Sequence, residues 1–206
     1  EMEKPEIRGQ DSKEFKEAVE FLEKNAYEVE RDETAVTYKL SKDALKGWKY
    51  PGRGAGKFPV RAATMKKVID LYMDGDCKKE QSDFDSWITL YKNNQWNPIT
   101  ITAEQSDQWS YGENTVAISS DVITDFVTKL NFTSKKKDEL RAFLYKMLPI
   151  LSPESYLTED EIEKLLEYSK RDKNNLVMTY LNAKCRVYVS YNLYDKDYTL
   201  VIEVVR

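Results

Sequence analysis

Apolar residues recur at helical spacing near the start of the chain, where Phe15, Ala18, Val19, Leu22 and Ala26 would share one helix face. Asp11 followed by Glu14 has the form of a capping box, with an acceptor at each end of the first turn. Alternation takes over at 34–41. There Val36, Tyr38 and Leu40 fall on one face of a strand, and Thr37 and Lys39 fall on the other. Met65, Val68, Ile69 and Tyr72 predict a second helix, stopped by Asp74 and Gly75. Phe84, Trp87, Ile88 and Tyr91 predict a third, opened by Ser82 or Asp83 and closed near Asn93 and Asn94.

The middle of the chain offers two short strands, 99–102 and 115–119, separated by a polar loop that carries Trp109. Helical spacing returns at Val122, Ile123, Phe126, Val127 and Leu130, with Ser120 or Asp121 as the cap. It recurs at Leu140, Phe143, Leu144, Met147 and Leu148, ended by Pro149. Thr158 and Glu161 form a further capping box ahead of Ile162, Leu165 and Leu166. From 176 to 205 the period falls to two. Cys185, Val187, Val189, Tyr191 and Leu193 make one apolar row, and Tyr198, Leu200, Ile202 and Val204 make a second. Pairing Leu193 with Tyr198 would join the rows and leave 194–197 as a four-residue turn.

The pattern predicts an α+β fold, with about five helices packed on an antiparallel sheet that ends in a C-terminal β-hairpin. No repeat or low-complexity linker interrupts it, so 1–206 reads as a single domain with its best sub-boundary at 149–155. The composition, 41% hydrophobic and 33% charged, suits a chain that buries a real core. No run approaches the roughly 18 apolar residues of a membrane span, and the N-terminal stretch has no apolar targeting core. Fourteen tyrosines, four tryptophans and the triplet Asn131-Phe132-Thr133 lean toward an extracellular or cell-envelope setting rather than a cytoplasmic one. Of the two cysteines, Cys185 sits on the inward row and Cys77 in a polar loop, so a free buried thiol is expected at Cys185. A bridge between them is the alternative, and it would mark an oxidising compartment.

The chain has no histidine. Serine and cysteine mechanisms that pass a proton through imidazole are therefore excluded. Two cysteines without histidine also cannot supply a four-ligand structural zinc site, and no metal or cofactor is expected. Two glycine motifs fail on spacing. In a phosphate-binding loop built on Gly56 and Lys57, Pro51 would replace the first glycine and Phe58 the hydroxyl. The dinucleotide fingerprint fails because Gly56 follows Gly54 one place too soon. Residues 70–76 resemble a calcium loop, but Tyr72 and Gln81 stand where oxygen ligands belong, which leaves a helix C-cap. Ser134 and Lys137 have the spacing of a serine–lysine pair, but the companion motifs are missing, so Ser134 reads as the cap of the next helix.

One surface remains. Residues 46–67 carry seven positive charges and no acidic residue, in a chain of net charge −4. Trp48, Lys49, Tyr50, Arg53, Lys57 and Arg61 are its candidate ligand-binding residues, aromatic platforms interleaved with cations. Pro51 and Pro59 bracket three glycines, so the loop is expected to lie outside regular structure. The partner class is a polyanion or carbohydrate, with a protein partner as a further candidate. Trp96 and Trp109 are other surface aromatics, whereas Trp87 reads as core. The leading function is a non-catalytic binding module of a secreted or cell-envelope protein. A carboxylate-dependent hydrolase of glycosidase type and an intracellular nucleic-acid-binding protein are the alternatives.

Overall fold

A computed structural model of the chain describes residues 12–50, 52–54, 56–94, 96, 98–168 and 184–205, and the backbone of 178–180. In chain order the elements are α1 (Lys13–Asn25), β1 (Glu28–Arg31), β2 (Ala35–Lys39), α2 (Lys42–Leu45), β3 (Arg53–Gly54), α3 (Ala62–Tyr72), β4 (Cys77–Tyr91) and β5 (Ile99–Tyr111). There follow β6 (Asn114–Asp121), β7 (Val127–Ser134), α4 (Lys137–Leu151), α5 (Glu159–Tyr168), β8 (Met178–Tyr180), β9 (Cys185–Asn192) and β10 (Asp197–Val204). The fold is α+β, and strands rather than helices dominate it. Contacts divide the chain into two compact units. Among the described residues, the first takes those up to Gly54 and Phe84–Glu104; the second takes Gly56–Asp83 and those from Gln105 on. The long strands β4 and β5 contribute to both. Residues 149–155 lie inside the second unit, as the last turn of α4 and the start of its connection to α5.

In the first unit the strand order is β1-β2-β4-β5, with β3 added in parallel beside β5. Helix α1 is capped by Ser12, whose hydroxyl accepts from the Phe15 amide at 3.1 Å. Asp11, the expected cap, lies outside the described residues. Phe15, Ala18 and Leu22 of α1 are buried, as are Tyr38, Leu40, Ile88, Leu90, Ile99 and Ile101. Strand β1 has no apolar alternation because all four of its residues are exposed. It is an edge strand whose charges discourage further pairing.

The expected helix over 84–91 is instead the second half of β4. Ser86, Ile88 and Leu90 point inward and are buried, while Trp87 and Tyr91 are exposed. Ser86 hid the alternation from a hydrophobic pattern. Its hydroxyl accepts from the Leu40 amide at 2.9 Å and donates to the Leu40 carbonyl at 2.7 Å, so a polar residue fills a core position with every bond made.

The second unit orders its strands β4-β5-β6-β7-β10-β9-β8, antiparallel throughout the pairings described. Helices α3, α4 and α5 supply Met65, Ile69, Phe143, Met147, Ile162 and Leu165 to a core that also takes Leu130, Phe132, Leu200 and Ile202. Phe132 and Phe143 stack with ring centroids 4.2 Å apart. Helix α5 opens on the capping box foreseen from the sequence. The Glu161 amide donates to Thr158 Oγ1 at 3.2 Å, and the Thr158 amide donates to Glu161 Oε2 at 2.8 Å. Helix α4 runs two residues past Pro149, to Leu151. In the last turn the missing proline N–H costs little more than one bond.

The helix expected over 122–130 is also replaced, by a turn and strand β7. Asp121 accepts from the Ile123 amide at 3.0 Å, as a helix cap would, but Asp125 then adopts φ 62° and turns the chain back alongside β6. The Trp109 segment, expected as a loop, belongs to β5. Its polar side chains bond across to β4: Ser110 to Glu80 at 2.8 Å and Ser82 to Asp107 at 2.6 Å. With polar side chains on this ribbon, no apolar alternation marks it as strand.

The C-terminal hairpin forms with Cys185, Val187 and Val189 of one row and Tyr198, Leu200, Ile202 and Val204 of the other buried, while Leu193, expected on the inward row, is exposed in the turn. Its register differs by two residues from the expectation, since Tyr198 pairs with Tyr191 and not with Leu193. Asn192 sets this. Its side-chain oxygen accepts from the Tyr194 amide at 2.9 Å, closing a four-residue loop over 193–196 in which Lys196 takes φ 55°. A shift of two preserves which side chains face inward.

Candidate functional site

The six candidate residues fall on two units. Trp48, Lys49, Tyr50 and Arg53 belong to the first, and Lys57 and Arg61 to the second. In the first unit, Trp48 packs edge-on against Phe21 at 5.8 Å and Tyr50 at 5.2 Å between centroids, so much of each ring is taken by its neighbours. Gly47 permits this, because a Cβ there would come within 3.1 Å of the Phe21 ring. Lys49 and Arg53 are exposed. Arg53 and Gly54 do not lie outside regular structure, as expected, but form β3 against Thr100 and Ile101. Gly52 allows that approach: a Cβ on it would lie 2.8 Å from Ile101 Cδ1. Pro51 is outside the described residues.

In the second unit the loop is a strap stitched to the start of β7. The Phe58 amide donates to the Val127 carbonyl at 2.7 Å, and the Val127 amide to the Val60 carbonyl at 2.9 Å. Arg61 lays its guanidinium 5.2 Å from the Phe126 ring centroid. Lys57 reaches Asp121 Oδ2 and Thr124 Oγ1, both at 3.3 Å.

Beside this strap is a cleft of about 630 Å³ within the second unit. Phe58, Leu151, Cys185 and Val204 are its buried floor. Phe126, Pro59 and Pro153 make apolar walls, and Lys57, Lys184 and Glu154 stand at the exposed rim. Gly56 comes close here as well, since a Cβ on it would touch the Val204 side chain at 3.5 Å. Sequence reading found Lys57 but missed the floor, whose residues come from four separate segments.

Cys185 and Cys77 form no disulfide, the first being buried and the second exposed. Burial pushes the Cys185 thiol above its ordinary value, and the Ser155 and Ser152 hydroxyls beside it act the other way. A protonated, buried thiol with no imidazole to take its proton is a poor nucleophile. Glu154 is the one carboxylate among the described residues that line the cleft, whereas glycoside hydrolysis needs two. No group of three or more metal-ligating side chains occurs among the described residues.

Other sequence candidates resolve into structural roles. Asp70 is held by Lys66 at 2.6 Å and by the Tyr111 hydroxyl at 2.7 Å, and α3 ends at Tyr72, as a C-cap reading requires. Ser134 is buried and donates to Glu139 at 2.6 Å while accepting from the Lys136 amide at 3.1 Å, just ahead of α4. Lys136, not Ser134, holds the cap position. Asn131 of the Asn-Phe-Thr triplet lies half-buried in mid-strand β7, with its amide oxygen buried and without a hydrogen-bond partner. No helix among the described residues is long and apolar enough to cross a membrane. Comparison with protein-family models, curated proteins and solved structures gives no match to this chain.

Proposed function

We propose that the chain is a non-catalytic binding module, and that the cleft of its second unit takes a small amphipathic anion. The observation that carries this reading is the cleft itself, with its apolar floor and two lysines at the rim. An acyl or aromatic body would lie on Phe58, Phe126 and Val204, where burial of apolar surface favours it. The anionic head would meet Lys57 and Lys184. Of the three N–H donors on the Lys57 ammonium, two reach Asp121 and Thr124, which leaves the third for a ligand oxygen. The polyanion reading of the basic loop narrows here to a single head group, with Lys57 as the shared residue.

Binding is tested with anilinonaphthalene sulfonate, which joins an apolar ring system to one negative group. Its fluorescence should rise on the wild-type protein, and dodecanoate should displace it better than dodecanol does. Phe126→Ala should weaken probe binding by about tenfold, and the double change Lys57→Gln with Lys184→Gln should abolish the preference for dodecanoate. Absence of probe binding, or equal displacement by acid and alcohol on the wild type, would refute the proposal.

A further inference from the structure

We propose that the first unit carries a second, separate site, for neutral sugar, at the β4–β5 end of its sheet. A cleft of about 500 Å³ opens there, lined by Thr34, Tyr91, Asn93, Asn94 and Trp96. Trp96 is 77% exposed, an unusual position for the largest apolar side chain. Its backbone amide donates to Asn94 Oδ1 at 3.1 Å. Thr34 is anchored, with its amide on Asp32 at 2.6 Å and its hydroxyl on the same oxygen at 2.8 Å.

The chemistry of this lining is aromatic and neutral. None of the five described residues that line it is charged. A pyranose offers a face of C–H bonds and a rim of hydroxyls. The C–H face packs on a flat ring such as Trp96 or Tyr91, and the hydroxyls exchange hydrogen bonds with amide and hydroxyl side chains, which both donate and accept. A polyanion would find no cation among the five described lining residues to pair with, so neutral glycan is the better match. The aromatic row also continues along the strand. Trp87 shares the outward face of β4 with Tyr91, and four residues of strand separate them by about 13 Å. Two sugar-stacking positions at that distance suit a chain of sugars rather than a single ring.

The test is affinity electrophoresis of the full chain in native gels containing hydroxyethyl cellulose or glycol chitin, against a gel with no polymer. Retardation in at least one neutral polymer, unchanged by added sodium chloride, is the expected result. Trp96→Ala should reduce the apparent affinity about tenfold or more. Its circular dichroism should match the wild type, since so exposed a ring supports little packing. Trp87→Ala should weaken binding to the polymer while leaving displacement by a free disaccharide unchanged. Mobility unaffected by either neutral polymer, or equal retardation of wild type and Trp96→Ala, overturns the proposal. Retardation seen only in heparin and lost with salt overturns it too, and would point to the basic side chains instead. The dodecanoate experiment reads the other unit, so either result stands without the other.

Discussion

The hairpin β9–β10 and the outer half of β4 are both strands with one buried face, yet only the first announces itself in the sequence. Along the hairpin, Cys185, Val187 and Val189 face Val204, Ile202 and Leu200 in unbroken apolar rows. Along β4 the inward row is Ser86, Ile88, Leu90, and its first member is polar. The two differ in what occupies the core side and not in how deeply it is buried. A strand held by apolar contacts shows its period, whereas one that completes its neighbour's backbone bonds with a hydroxyl disguises it. The same disguise occurs at Asp121, where a side chain that bonds two residues ahead serves a turn as well as it serves a helix cap.

The sharpest way to break the comparison is to remove packing from the hairpin. Ile202 is fully buried and sits between Val187 on β9 and Leu130 on β7. Ile202→Ala should cost about 2–5 kcal/mol through lost transfer energy and the cavity left behind. Urea denaturation measures this, and a loss below about 1 kcal/mol would show that the hairpin core is not the tightly packed one described.

A smaller loss is expected at β4. Ser86→Ala removes little volume but strands the amide and carbonyl of Leu40, each now without its partner in a buried place. The expected cost is about 1–3 kcal/mol. Ser86→Ala with unchanged stability would mean that water or the chain re-satisfies Leu40, and that the serine is incidental to the strand.

Legibility follows from the same physics. The helices α1, α3, α4 and α5 were readable because each buries a stripe at helical spacing, such as Leu140, Phe143, Leu144 and Met147. The four-residue α2 and the edge strand β1 were not, since neither has length or apolar contrast enough to make a period. For β4 the residues Phe84, Trp87, Ile88 and Tyr91 matched a helix face by coincidence, although the β-branched and aromatic run Trp87-Ile88-Thr89 was a strand signal. Of the candidate site, charge alone pointed to Lys57. The cleft beside it joins residues from 58, 126, 151, 185 and 204, and such a meeting of distant segments leaves no local trace.

The gentlest probe lies one strand over, on β2. Tyr38 pairs with Ile88 of β4, and its hydroxyl donates to Glu23 Oε1 at 2.6 Å, where Arg31 also binds at 2.5 Å. The bond from Tyr38, and then that from Arg31, lowers the Glu23 carboxyl below its usual value. A lowered carboxyl contributes stability above its unfolded value, about pH 4.3, and loses it as pH falls through the folded one. Burial, and next the bond to Glu23, pushes the Tyr38 phenol up to about 12. That contribution is complete below the unfolded value near pH 10 and is lost as pH rises through about 12. The carboxylate is well exposed, at 42% of its side chain, so water screens the pair. Glu23→Gln should therefore cost only about 0.5 kcal/mol at neutral pH and almost nothing at acid pH. Ultraviolet titration gives the finer reading. The difference between wild type and Tyr38→Phe should be a single phenol titrating near 12, and Glu23→Gln should move that component downward. A missing phenol that titrates near 10, the ordinary value, would show that Tyr38 is neither so buried nor so bonded, and that β2 lacks the polar tie which Ser86 gives β4.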